Sequence, residues 1–267
     1  MMRALRRVSG LKITIMMHDT IPLDHPEFTR PGQSEVFARK LAVASHYADR
    51  VIHLANTTRQ QTEAQLATLG RVPPGIVAPL DVTPAAPDAS ALPPGLMPDT
   101  PYFVALGTIE PRKNHALLLD VWGQLASRGG EIPALIIVGN RGWADARLMS
   151  RIDSGVPGIK VVSGLEDAAV SALLMGARAL LFPSFAEGFG LPPREAAALG
   201  IPVLCSDLPV LREGLGTYPV YLGSTDSFSW METILSVYRG KKIESSGKTG
   251  TETPLWTQHF KTVLNSL

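Results

Sequence analysis

The chain has 267 residues, of which 45% are hydrophobic and 18% charged, and its formal net charge at pH 7 is +1. This length can bury one large core or two modest ones, and the near-neutral charge offers no extended positive field, so a nucleic-acid partner is not expected. The single cysteine, Cys205, excludes an internal disulfide and fits a reducing compartment, which predicts a cytoplasmic location; its apolar neighbours favour a small buried residue.

The first ten residues are basic, with three arginines before an apolar run over 11–17. The run is too short to span a bilayer and lacks a cleavage site, so it predicts a strand rather than an anchor or signal peptide. The basic start favours a solvated end, and the alternative is contact with the inner face of a membrane. His18 and Asp19 end the strand, where ligands of parallel sheets bind. The alternative for His18 is a local hydrogen bond.

Residues 1–82 alternate between strand and helix patterns, which predicts a parallel sheet with helices on its faces. The helices are expected over 34–48 and 59–69, the second capped by residues 56–58, and the further strands over 51–55 and 75–80. Residues 83–101 contain six prolines and fit no packed element, so they predict a linker between two domains.

A second, more regular alternation occupies residues 102–238 and predicts a doubly wound domain. The strands are expected over 102–106, 134–138, 159–162, 179–182, 202–205 and 219–222. The helices are expected over 114–127, 144–152, 166–177, from 191 or 192 onwards, 208–214 and 227–238. Residues 239–267 are expected to form a polar flexible loop, to 253, and then an amphipathic helix.

One stretch, Phe185 to Gly200, reads FAEGFGLPPREAAALG and follows a strand pattern. Gly188 and Gly190 permit close approach of the backbone to a ligand, and a helix that begins after them directs its positive end at the same place. An anion is therefore expected there. Glu187 and Glu195 flank the turn; the alternative is an ordinary glycine turn followed by a solvated glutamate.

This stretch resembles the Glu-x7-Glu motif of family 4 glycosyltransferases, which are retaining, sugar-nucleotide-dependent enzymes of the GT-B fold. The residues over 102–115, YFVALGTIEPRKNH, are similar to the strand and turn that open the donor domain of that family, and VGNRGW over 138–143 is a third match. The resemblance covers residues 100–235. It implies an α/β protein of GT-B type with two Rossmann-like doubly wound domains. The first is expected to be incomplete, because no glycine-rich loop opens it.

The resemblance also implies a role for each candidate site residue. Arg112 and Lys113 are expected to bind the donor diphosphate. The expected catalytic residues are Glu187, His18 and Asp19: Glu187 is expected to contact the transferred sugar, and His18 and Asp19 to face sugar and acceptor across the cleft. The remaining expected roles are the diphosphate contacts of Gly188, Phe189, Gly190 and Leu191, the ribose contact of Glu195, the base contacts of Val162, Gly164 and Leu165, and other donor contacts of Gly107 and Thr108.

The function implied is retaining transfer of a mannose or glucose type hexose from a nucleotide sugar, such as GDP-mannose or UDP-glucose, to a glycan or lipid-linked acceptor. No Asp-x-Asp motif is present, so neither a metal nor another cofactor is expected. Two alternatives remain: a truncated, inactive or partner-dependent donor-binding module, and a sugar-nucleotide epimerase of the same fold. An NAD-dependent oxidoreductase is disfavoured because no Gly-x-Gly-x-x-Gly follows the first strand.

Overall fold

The computed structural model describes residues 10–143, 146–241 and 256–266. The strands are β1 (Thr14–Met17), β2 (Arg50–His53), β3 (Gly75–Val77), β4 (Tyr102–Leu106), β5 (Ala134–Val138), β6 (Ile159–Val162), β7 (Leu180–Phe182), β8 (Val203–Ser206) and β9 (Val220–Leu222). The helices are α1 (Ile21–Asp24), α2 (Gln33–Tyr47), α3 (Asn56–Ala67), α4 (His115–Arg128), α5 (Ala146–Ser154), α6 (Asp167–Met175), α7 (Leu191–Ala198), α8 (Pro209–Leu215), α9 (Ser227–Tyr238) and α10 (Trp256–Leu264).

The strands form two parallel sheets. The first has the order β1-β2-β3, with Met17 opposite His53 and His53 opposite Val77. The second has the order β6-β5-β4-β7-β8-β9, so the strand order reverses between β4 and β7. Ligands of open parallel sheets bind beyond the carboxyl ends of the strands at such a reversal. The fold therefore places the expected site after β4 and β7.

The sequence pattern predicted all six strands of the second sheet to within about two residues. The first sheet agrees less closely: β1 begins at Thr14 rather than Leu11, and β3 ends at Val77 rather than Leu80. The helix predicted over 59–69 is α3, which begins at Asn56, three residues before the predicted start, and has Ala55 as its N-cap. The predicted cap residues are therefore the first turn of the helix. The backbone N–H of Ala55 donates to the hydroxyl of Thr58, at 3.1 Å, so Thr58 lies inside the helix.

Two tryptophans lie at the centre of the core on one face of the larger sheet. Trp122 on α4 and Trp230 on α9 are fully buried, and their indole N–H groups donate to the carbonyls of Pro133 (2.7 Å) and Gly223 (3.0 Å). These bonds satisfy the one polar group that each ring buries. Cys205 is also fully buried, and burial raises the pKa of its thiol, as expected of a structural residue.

The proline-rich segment is packed against the second sheet, which corrects the expectation that nothing in it packs. It contains a short 3₁₀ turn, Ala89–Ala91, and Leu96 is 4% exposed within the same apolar cluster as the strand residues of β4 and β7. The backbone N–H of Asp88 also donates to the carbonyl of Ala168 on α6, at 3.1 Å. Leucines between the prolines supply the apolar surface that composition alone concealed.

The last helix contacts the segment that follows β3 of the first sheet. His259 on α10 is buried, and its Nδ1 lies 3.1 Å from the carbonyl oxygens of Ala78 and Pro79. Carbonyl oxygens only accept, so Nδ1 carries the proton.

The flexible loop predicted over 239–253 lies outside the described residues from 242 onwards, as do the first two residues of the helix predicted from 144. In the described part of the chain, no helix combines the length and apolar character needed to span a membrane.

Candidate functional site

The turn after β4 is fixed against the residues that follow β7. It is a 3₁₀ turn, Pro111–Lys113, and it ends at Asn114 in the left-handed conformation, with φ of 53°. Asn114 is 6% exposed, and its amide donates to the carbonyls of Pro183 (3.1 Å) and Ser224 (2.8 Å). The backbone N–H of Phe185 in turn donates to the carbonyl of Arg112, at 2.9 Å. These bonds hold the two basic side chains beside the glycine turn.

Glu187 lies between the two cations. Its Oε1 is 2.8 Å from Lys113 Nζ and 2.9 Å from Arg112 Nη1, and its side chain is only 7% exposed. Arg112 also donates to Glu110 Oε1 and to the carbonyl of Ala186, both at 2.8 Å. Burial tends to lower the pKa of Arg112, but the Glu187 and Glu110 carboxylates outweigh it and raise that pKa. The cluster therefore consists of two cations whose charge is balanced by two carboxylates.

Gly107 makes room for one of these cations. A side chain at Gly107 would place its Cβ 3.2 Å from Lys113 Cε, so the lysine stem lies directly over the glycine. The Lys113 ammonium lies 4.8 Å from the centre of the Phe182 ring, where the ring face attracts a cation. Thr108, the next residue, is exposed at the same sheet edge. Gly107 thus leaves room for the stem of Lys113. The direct donor contacts expected of Gly107 and Thr108 stay predictions.

The first sheet reaches the same place through His18 and Asp19. A Cβ on Gly188 would lie 2.7 Å from the carbonyl oxygen of His18 and 2.9 Å from Asp19 Cβ. The segment after β1 and the glycine turn after β7 therefore pass too close together for a residue larger than glycine at position 188. Asp19 Oδ1 accepts from the backbone N–H of Ile21 at 3.0 Å, whereas His18 is exposed. Burial raises the pKa of Asp19, opposed by that hydrogen bond and by the charge of Arg112.

Helix α7 begins beside this cluster with few free donors. Gly190 precedes it in the left-handed conformation, with φ of 77°, and the first three helical residues are Leu191, Pro192 and Pro193. Proline has no backbone N–H, so the donors available to an anion are those of Leu191 and of the preceding turn. Phe189 is buried, and its ring lies 3.9 Å from the Arg194 guanidinium.

Glu195 lines a cavity whose lining does not include Glu187. That cavity, of about 110 Å³, is bounded by α6, α7 and residues 83–85 of the proline-rich segment, and Asp167 shares it. Burial raises the pKa of Glu195, and the charge of Asp167 raises it further. In the lining of this cavity the polar side chains are carboxylates and hydroxyls, with no cation. Carboxylates without a cationic partner suit a neutral diol better than a phosphate.

None of the expected base-binding residues is in the lining of the cavity that contains Glu195. Val162 lines a cavity of about 320 Å³ together with Gly139 and Arg141. Gly164 has a positive φ of 73°, and Leu165 is half-buried against the apolar cluster that also contains Leu96.

Sequence reasoning also missed Glu110, although it lies within the motif that contains Arg112. Among the described residues, no group of three or more His, Cys, Asp or Glu is arranged to hold a metal ion.

Comparison with known proteins identifies the family. The model of a family described as "Glycosyl transferases group 1" matches residues 100–239, more than half of the chain. The chain belongs to this family. This group 1 glycosyltransferase is 31% identical, over 223 residues, to the serotype-specific mannosyltransferase WbdA of Escherichia coli, a match that covers 78% of the chain and 27% of WbdA. It is 38% identical over 117 residues to O-antigen chain mannosyltransferase B of the same species, covering 43% of the chain and 31% of that protein.

Solved structures show the same architecture. This chain superposes on HepE of Anabaena, solved in complex with UDP-glucose, with a TM-score of 0.71, 17% identity, and coverage of 100% of this chain and 77% of HepE. Sucrose-phosphate synthase from Thermosynechococcus elongatus gives a TM-score of 0.70 with 19% identity, covering 89% of this chain and 61% of the synthase. The fold is α/β of the GT-B type. The chain spans about a quarter to a third of the length of the curated relatives named above.

Proposed function

We propose that the chain is a retaining hexosyltransferase that moves mannose from a nucleotide-diphosphate donor to a glycan acceptor. The observation that carries the proposal is the pairing of Arg112 and Lys113 with Glu187 at the strand-order reversal, within a matched glycosyltransferase family. Both curated relatives described above are named mannosyltransferases, which favours mannose over glucose. The same proposal includes a lipid-linked glycan as the acceptor, which would place the transfer reaction at the inner face of a membrane.

The donor diphosphate replaces Glu187 as the partner of the two cations. Arg112 offers a planar fork for phosphate oxygens and Lys113 a compact charge, and both are already desolvated. As the glycosidic bond breaks, the leaving diphosphate gains negative charge, and fixed cations together with the N–H groups of residues 188–191 stabilise it. Glu187 then becomes free to accept hydrogen bonds from sugar hydroxyls, and Glu195 accepts from the ribose in its own cavity.

Asp19 and His18 face the same cleft from the first sheet and contribute to sugar and acceptor binding. Burial raises the pKa of Asp19, so its carboxylate is a stronger hydrogen-bond acceptor than that of an ordinary surface aspartate. In the mechanism that the family resemblance implies, the departing phosphate takes the acceptor proton on the face where the bond broke. Asp19 then orients the acceptor hydroxyl, and no metal or cofactor takes part.

A transfer assay tests the proposal. The chain is incubated with GDP-mannose or UDP-glucose and a mannose oligosaccharide, and the released nucleotide and elongated glycan are quantified. GDP release coupled to elongation, reduced about tenfold or more in Glu195→Ala and unchanged in the exposed control Glu232→Ala, is the expected result. Epimerised nucleotide sugar without elongated glycan would overturn the proposal.

A second candidate function is a donor-binding module that acts only with a partner. The observation that favours it is that the family match covers residues 100–239, the part of the chain that carries most of the proposed donor residues. Nucleotide-sugar binding without any elongation, for every acceptor tried, would favour this module over the complete transferase.

A further inference from the structure

We propose that Glu213 is a positioning residue that holds the edge of the first sheet against the sugar-transfer site. Its carboxylate, on the helix α8 that connects β8 and β9 of the second sheet, accepts four hydrogen bonds from the start of α3. The donors are the backbone N–H and side-chain amide of Asn56, at 2.6 and 3.1 Å, and the backbone N–H and hydroxyl of Thr57, at 2.8 and 2.7 Å. We call these four hydrogen bonds the Glu213 contact.

Helix α3 depends on the Glu213 contact for its first donors. Its N-cap residue is Ala55, which has no side-chain acceptor, so the N–H groups of Asn56 and Thr57 find their acceptor on another part of the chain. Burial tends to raise the pKa of Glu213, but the hydrogen bonds from Thr57 and Asn56 outweigh it and lower that pKa. An ionised carboxylate also suits the positive end of a helix.

The Glu213 contact lies on the sheet edge that carries Asp19. Strands β1 and β2 are parallel neighbours in register, with Met17 opposite His53. The segments that follow them, His18–Asp19 and Ala55–Thr57, therefore leave the same edge. One segment passes against Gly188 and the other is bonded to Glu213. Residues that follow strands of the second sheet thus hold this edge at two points. Gly188 does so inside the proposed site, and Glu213 does so outside it.

Arg194 connects the Glu213 contact to the glycine turn. Its guanidinium lies over the backbone of Gly214, where a Cβ would be only 1.7 Å from Nη2, and its Nε donates to the carbonyl of Phe189 at 3.0 Å. Burial lowers the pKa of Arg194 to about 10, although the Glu213 charge opposes this shift. Residues 188–190 and Glu213 are consequently parts of one packed unit, and movement of α3 away from Glu213 separates Asp19 from Gly188.

Glu213→Gln tests the inference. Glutamine keeps the size of the side chain, but its amide N–H₂ group replaces one carboxylate oxygen and faces the donors of Asn56 or Thr57, which then lose their acceptor. Amide hydrogen exchange of Asn56 and Thr57, measured on the ligand-free 267-residue chain, is expected to accelerate about tenfold or more. Glu232→Gln, which changes an equally acidic side chain in an exposed ion pair with Arg128, is the control and is expected to leave that exchange unchanged. Unchanged exchange in Glu213→Gln would overturn the inference.

The kinetic readout rests on the proposed function. The rate of sugar transfer at saturating donor is expected to fall about tenfold in Glu213→Gln, while donor affinity stays within about twofold, because the proposed donor residues lie on the second sheet. Thr57→Val, which removes only the hydroxyl donor, is expected to give a smaller effect of the same kind. Equal loss of donor affinity and rate would contradict a positioning role. If the wild-type chain bound no donor while hydrogen exchange still responded, the proposed function would fail and the Glu213 contact would stand.

Discussion

Replacement of Lys113 by alanine is expected to lower the rate of sugar transfer by about 100-fold or more, the usual cost of removing one group that stabilises transition-state charge. Lys113 is 11% exposed, and its ammonium is fixed by Glu187 at 2.8 Å and by the Phe182 ring. The measurement is the initial rate of nucleotide release with saturating donor and acceptor.

Two variants separate charge from packing at this position. Lys113→Met keeps most of the stem over Gly107 but removes the charge, so it is expected to be as slow as the alanine variant. Lys261→Ala removes an exposed lysine on α10 and is expected to retain wild-type rates. A wild-type rate in Lys113→Met would show that the ammonium does not act on the leaving group.

Gly188→Ala is expected to lower transfer by about 100-fold while GDP affinity stays within about threefold. The added Cβ would lie 2.7 Å from the His18 carbonyl oxygen and 2.9 Å from Asp19 Cβ, and neither atom belongs to a flexible side-chain end. The two sheet edges must therefore move apart, and a displacement of about 1 Å at a reacting centre costs roughly 100-fold. Transfer kinetics and calorimetric titration of GDP give the two quantities.

Gly123→Ala is the matched control for this substitution. Gly123 lies inside α4, and a Cβ there would meet nothing within 4 Å, so alanine is expected to keep activity and to raise stability slightly. If Gly188→Ala retained full transfer activity, the close approach of the first sheet to the glycine turn would have no part in catalysis.

The sequence predicted those parts of the site whose residues are close together in the chain or carry a motif. Glycines after strands, prolines at a helix start and the two basic residues of the β4 turn are local signals, because each reflects a backbone requirement. The roles of Arg112, Lys113 and Glu187 came from the family resemblance; the structure pairs the two cations with Glu187, and their contact with a donor stays a prediction.

The features that sequence reasoning missed depend on pairing across the chain. Glu213 and Thr57 are 156 positions apart, and neither residue belongs to a motif. Leu96 was assigned to an unpacked linker because prolines dominate its neighbourhood, although its burial depends on a core built from β4 and β7. Such contacts are set by how the two sheets pack, for which a single sequence has no periodic signal.

The most direct test of the donor site is a calorimetric titration of GDP into the wild-type chain and Glu187→Gln. Glu187 occupies the two cations that the diphosphate needs, so its neutral isostere is expected to bind GDP about tenfold more tightly, although sugar transfer falls. GDP binding that is weaker in Glu187→Gln than in the wild type, or absent from both folded proteins, would contradict the assignment of Arg112 and Lys113 to the diphosphate.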